Sequence, residues 1–73
     1  MYIIQELQTT NGVTSLVPAV TKESLLEAES AFHFACAAAA VSNVEIHTVI
    51  VYDEHGNVVE KKYYEHIQEA PAE

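Results

Sequence analysis

The chain has 73 residues, with eleven acidic side chains against three lysines and no arginine, for a formal net charge of −8. That balance speaks against nucleic acid and against an anionic membrane surface, both of which need clustered Lys and Arg. One small domain fits this length, and a core of this size is often reinforced by disulfides, metal or oligomerisation. Cys36 is the single cysteine, so no intrachain disulfide forms, and no C-x-x-C or H-x₃-H pair suggests zinc. Met1 leads into YIIQ without the basic and apolar regions of a signal peptide, and no apolar run nears the roughly 20 residues of a membrane span. With its unpaired thiol, the protein is expected in the cytoplasm.

Tyr2 to Gln8 (YIIQELQ) reads as a strand and Ser15 to Val20 as its return. Asn11-Gly12 is placed between them as a type I′ turn, whose two central residues need positive φ. That register sets Leu7 opposite Leu16 and Ile3 opposite Val20, and predicts these four on the core side. Pro18 cannot donate to a ladder, which predicts an edge strand or a bulge there.

Lys22 to Ser42 reads as a helix, capped by Thr21 with Glu23 in its first turn. Leu25, Ala28, Phe32, Ala35, Cys36 and Ala39 share one face and form a core stripe. The first half has a polar back of Glu23, Glu27 and Ser30. In the second half Phe34, Ala37, Ala38 and Val41 stand at i, i+3, i+4 and i+7 on nearly the opposite side. A helix apolar on both sides needs two partners, so these four residues are the expected oligomer interface. Ser42-Asn43 is the expected stop, with Asn43 suited to a left-handed cap.

Val44 to Asp53 is rich in β-branched residues and reads as a strand. Asp53 to Asn57 fits a type I turn closed by Gly56, and Val58 to His66 is the return strand. This register pairs Tyr52 with Val58, Ile46 with Tyr64, Val51 with Val59 and His47 with Tyr63. The expected fold class is α+β: ββαββ, two β-hairpins forming an antiparallel four-stranded sheet packed on one Ala-rich helix. Residues 1–67 form the single domain and 68–73 a frayed C-terminal tail.

Chemistry is thinly represented. Four histidines, His33, His47, His55 and His66, are many for the length, but a metal site needs three or four converging ligands, and spacing alone does not show whether these converge. Glu29 and His33 stand at i, i+4 and read as a helix-flank pair. Cys36, among alanines, reads as core filler rather than nucleophile. Tyr52, Tyr63 and Tyr64, with His33 and His47, are candidate ligand or partner contacts, since aromatics on a sheet can line a groove or an interface. Lys61-Lys62 reads as protection of an exposed edge. No glycine-rich phosphate loop, nucleophile elbow or H-E-x-x-H motif is present.

The run Ala28-Glu29-Ser30, His33, Ala37 to Ser42 and His47, AES-x-x-H-x-x-x-AAAAVS-x-x-x-x-H, resembles small uncharacterised phage and prophage proteins of Gram-positive gut bacteria. Those chains also open on a YIIQEL-like strand and close on a D-E-x-G hairpin. The resemblance covers most of the chain and implies a context, a small accessory phage protein acting on a host or virion protein, without an activity to transfer. It also implies an aliphatic residue in relatives where this chain has Cys36. The expectation is therefore a non-enzymatic, acidic, homo-oligomeric interaction module without a cofactor, able to meet a protein partner. The alternative is a small-ligand sponge for a nucleotide signal, with its site at a protomer interface.

Overall fold

A computed structural model describes residues 1–66. Its elements run β1 (Tyr2–Thr10), β2 (Val13–Lys22), α1 (Leu25–Ala40), β3 (Ile46–Asp53) and β4 (Val58–Glu65). The four strands form one antiparallel sheet in the order β2-β1-β3-β4, and α1 packs on one side of it, chiefly over β3. The expected ββαββ architecture is present. The expected tail, 68–73, and the domain boundary at 67 lie outside the described residues. Among the described residues no helix is long and apolar enough to cross a membrane.

Both hairpins turn as their sequences dictate. Asn11 (φ 53°) and Gly12 (φ 79°) supply the two left-handed positions of the first turn, and Thr10 pairs with Val13. The second closes with Gly56 at φ 85°, its N–H donating to Asp53 O at 2.9 Å while Asp53 N–H donates to Asn57 O at 2.9 Å. The Asp53 carboxylate also accepts from the His55 and Asn57 amides, each at 2.9 Å. Together these bonds hold Asp53 below the ordinary carboxyl range, the Asn57 amide contributing most.

Bulges shift the rest of both registers. Leu7 faces Leu16 as expected, but the pairs then run Glu6–Val17 and Ile4–Val20, so Pro18 and Ala19 together oppose Gln5. Pro18 has no N–H for the ladder, and the edge strand β2 absorbs the extra residue at that point. Gln5 Nε2 donates to Val17 O beside the break. Val20 therefore meets Ile4 rather than Ile3. In the second hairpin Val59 is the extra residue, so Val51 pairs with Glu60, His47 with Tyr64 and Ile46 with Glu65. The expected His47–Tyr63 and Ile46–Tyr64 pairs are each one residue out for that reason.

The expected core face of the first hairpin is corrected as well. On β3, His47, Val49 and Val51 are buried beneath α1, and β1 pairs Ile4 with Val51 and Glu6 with Val49. Directly opposed residues share a face, so Ile4 and Glu6 point at the helix. Ile3 and Leu7 point to the other side, where Leu16 is 68 % exposed. The core is Ile4, Val49 and Val51 against Ala28, Phe32, Ala35, Cys36 and Ala39, flanked by Tyr2, Ala31 and Tyr64.

The helix starts later than its periodicity suggests because β2 continues through Lys22. Ser24, not Thr21, is the N-cap: its Oγ accepts from Glu27 N–H at 3.2 Å and donates to Glu27 Oε1 at 3.1 Å. Glu27 takes the first-turn place expected of Glu23. Val41 caps the other end at φ −112° with its N–H on Ala38 O at 3.3 Å, and among the described residues Asn11 alone of the non-glycines has positive φ. Asn43 therefore forms no left-handed cap. The helix stripe is buried as expected except for Leu25, which is exposed at the first turn.

Candidate functional site

The four residues expected at an oligomer interface all stand outside the core. Phe34 is 80 % and Val41 82 % exposed, and Ala37 and Ala38 are exposed between them. Leu26, 77 % exposed, extends the same outer face toward the N-terminus. The helix lies over the middle of the sheet, so its shoulder stands above β2 and leaves a groove of about 560 Å³ between them. Ile4 lies in this groove, with Pro18 and Val20 on the strand side and Ala31, Phe34 and Ala38 on the helix side. The exposed stripe and the groove are thus continuous through Phe34 and Ala38. Sequence reasoning found the helix side of this surface and placed Val20 on the core side opposite Ile3; the bulge at Pro18 keeps Val20 facing the helix opposite Ile4, while Leu7 and Leu16 turn away.

His47 was a candidate contact and is instead 4 % exposed. Its Nε2 lies 2.7 Å from Glu6 Oε1, and its Nδ1 lies 3.1 Å from Ser42 Oγ. A carboxylate only accepts, so Nε2 carries the proton; in the neutral ring Nδ1 then accepts from the Ser42 hydroxyl. Ser42 Oγ in turn accepts from Val44 N–H at 3.4 Å. Hydroxyl, imidazole and carboxylate in a row resemble a catalytic relay, but the ends open in different directions. Glu6 borders the groove over β2, whereas Ser42 borders a separate recess with Asn43, Glu45 and His66. The row ties the end of α1 to β3 and β1, and gives Glu6 a partner for its helix-facing carboxylate. Glu6 and Ser42 escaped the sequence reading; a lone Glu at an inward strand position was the available signal.

His66 fastens the same end from β4. Its Nε2 lies 3.0 Å from Ala40 O, one of the helix's last carbonyls, and its Nδ1 3.0 Å from Val44 O. Glu45 Oε1 accepts from Asn11 N–H at 2.6 Å, pinning the first hairpin turn to the loop before β3.

Beyond the helix on its β4 side, a recess of about 410 Å³ gathers Phe32, His33, Cys36, Glu60, Lys62 and Tyr64. Burial pushes the Cys36 thiol up, and contact with the Tyr64 hydroxyl draws it partly back. Burial likewise raises the Tyr64 hydroxyl, with Cys36 adding to the effect. A thiol held protonated is a poor nucleophile. His33 is exposed and sets its ring edge-on to Phe32, with centroids 5.5 Å apart. The expected Glu29–His33 pair is not among the ion pairs or hydrogen bonds of the described residues. Lys62 Nζ lies 5.7 Å from the Tyr64 ring centroid, a cation–π contact. Glu60 Oε2 is buried without a hydrogen-bond partner among the described residues.

Of the remaining candidates, Tyr64 is half-buried against the core, Tyr63 is exposed, and Tyr52 is half-buried opposite Val58. Tyr63 pairs with Thr48, and both it and Tyr52 lie on the sheet face away from the helix, apart from Tyr64. Among the described residues no three His, Cys, Asp or Glu side chains come together as a metal-ligand set. Comparison with protein-family models, with curated proteins and with solved structures found no match.

Proposed function

We propose that the chain is a non-enzymatic interaction module that self-associates through the outer face of α1. The observation that carries this reading is the contiguous apolar stripe of Phe34, Ala37, Ala38 and Val41, left outside the core on a chain of net charge −8. Single exposed apolar residues are ordinary on a protein surface; a connected stripe bordering an apolar groove marks an interaction site. The small core favours the same reading, since Val49 and Val51 are its largest fully buried side chains and a domain of this size gains stability from a second copy. The resemblance to phage proteins would make a host or virion protein the further partner, met by the acidic remainder of the surface. A phosphorylated ligand is less well supported: Lys62 is engaged on Tyr64, leaving Lys61 as the other cation at that recess.

Light scattering during size-exclusion chromatography tests the proposal. At micromolar concentration the wild type is expected at twice its 8.0 kDa chain mass, and Phe34→Glu at the monomer mass with an unchanged circular dichroism spectrum. A wild-type monomer, or a Phe34→Glu variant that keeps the doubled mass, refutes it.

A further inference from the structure

The geometry points to the recess between α1 and β4 as a site for a small zwitterion, an α-amino acid with an apolar or aromatic side chain, its ammonium on Glu60 and its carboxylate on Lys62. The recess lies across α1 from the groove over β2, and the inference does not depend on self-association.

Strand parity brings the two charges to one place. Glu60 pairs with Val51 and Lys62 with Val49, and both valines are fully buried beneath α1. Directly opposed residues share a face, so Glu60 and Lys62 stand on the helix side of β4. The bulge at Val59 decides this, since an unbroken register would put Val59 and Lys61 there instead. Alternate residues of a strand are roughly 7 Å apart, close enough for the two side chains to pair. They form no ion pair among the described residues. Lys62 Nζ lies over the Tyr64 ring instead, and Glu60 Oε2 is buried with no hydrogen-bond partner among the described residues. A buried carboxylate oxygen ordinarily meets a donor.

The rest of the recess suits an apolar body. Phe32 from the helix and Tyr64 from the strand wall a space of about 410 Å³, within the range of small-ligand pockets. The Cys36 thiol and the Tyr64 hydroxyl meet each other, which leaves the carboxylate and the ammonium to recognise a ligand. Glu60 is half-buried, and its carboxylate turns on a soft terminal torsion, so its second oxygen can swing to a donor in the recess.

The pair of charges selects among ligands. An ammonium supplies the donor that Oε2 lacks, and a carboxylate on the same carbon gives Lys62 its anion. Such a ligand has no net charge, so the field of a chain at −8 neither draws nor repels it. An amine alone sets two cations together at Lys62, and a carboxylate alone sets two anions together at Glu60. A phosphate monoester brings more negative charge than Lys62 balances beside Glu60.

Isothermal titration calorimetry with one aromatic body in three charge states tests the site. L-phenylalanine carries both charges, phenethylamine only the ammonium and 3-phenylpropionate only the carboxylate. L-phenylalanine is expected to bind with Kd near or below about 1 mM, as suits a ligand of about a dozen non-hydrogen atoms, and each single-charge probe at least about tenfold more weakly. Glu60→Gln keeps the side chain's size, and Lys62→Met replaces an exposed residue, so both should keep the wild-type circular dichroism spectrum. Each should weaken L-phenylalanine at least about tenfold, the first without changing 3-phenylpropionate and the second without changing phenethylamine. Phe34→Glu, on the outer face of α1, should leave the affinity as it is. L-phenylalanine bound no tighter than the single-charge probes, or bound equally by both recess variants, overturns the inference. So does the absence of heat with all three probes up to about 10 mM, which would mean that water serves Glu60. Loss of binding in Phe34→Glu would move the ligand to a contact between copies and overturn the recess as its site, leaving the proposed self-association standing.

Discussion

Glu6, His47 and Ser42 make one row centred on the buried His47, and a double-mutant cycle on the first two measures how far it acts as a unit. Glu6→Leu leaves His47 Nε2–H without its acceptor in a ring that is 4 % exposed. A buried donor left unpaired costs about 1–3 kcal/mol. His47→Leu leaves the Glu6 carboxylate, which is 28 % exposed at its side chain and can turn to water, so its cost falls at the low end of that range. Replacing both removes donor and acceptor together and puts two apolar side chains beneath α1, an exchange that is often near neutral. The expected coupling is therefore about 2–4 kcal/mol, with the double variant more stable than the sum of the singles predicts. For a domain of this length, whose whole stability is of order 4–11 kcal/mol, that is readily resolved. Urea unfolding in a Phe34→Glu background, where association does not add to the apparent stability, reads it from the midpoint at constant slope. Additivity within about 0.5 kcal/mol would refute the coupled row and leave two independent contacts.

The Asp53 carboxylate should titrate below its ordinary value of 3.8, because the Asn57 and His55 amides stabilise the charged form. A depressed folded-state pKa contributes stability that is complete above the unfolded value and is lost as pH falls through the folded value. Asp53→Asn should then flatten the acid limb of a pH–stability profile below about pH 4, and a carboxyl resonance with its midpoint at or above 3.8 would contradict the turn geometry. Cys36, buried with its thiol pushed up, should react with iodoacetamide at neutral pH only as the chain unfolds; labelling at the rate of a free thiol under native conditions would show that the recess does not protect it.

Much of the fold was legible locally. Asn11, Gly12 and Gly56 stand at positive φ, where Gly and Asn are the residues best accepted, so both turns follow from three positions. The β-branched run from Val44 to Asp53 marked β3 without choosing its buried face, and the stripe of Ala28, Phe32, Ala35, Cys36 and Ala39 identified the inner face of α1. The outer stripe of Phe34 to Val41 was legible too, because two opposed apolar faces exceed what one sheet can cover.

What periodicity does not carry is parity after a bulge. One extra residue at Pro18-Ala19 and one at Val59 slide each return strand by a position, and a shift of one exchanges the two faces of a strand. In β1 both faces are partly apolar, so local pattern could not choose between Ile3 with Leu7 and Ile4 with Glu6. Pairing with β3 chose the second, since residues opposite Val49 and Val51 must face the helix. That choice drew Glu6 inward, where His47 meets it, while the bulge kept Val20 on the helix side, opposite Ile4, where it borders the groove. Composition, turn chemistry and helical period thus determined the elements and the surplus apolar face from sequence alone. Strand register, a relation between residues as far apart in the chain as Tyr2 and Asp53, was decided only when the sheet closed beneath the helix.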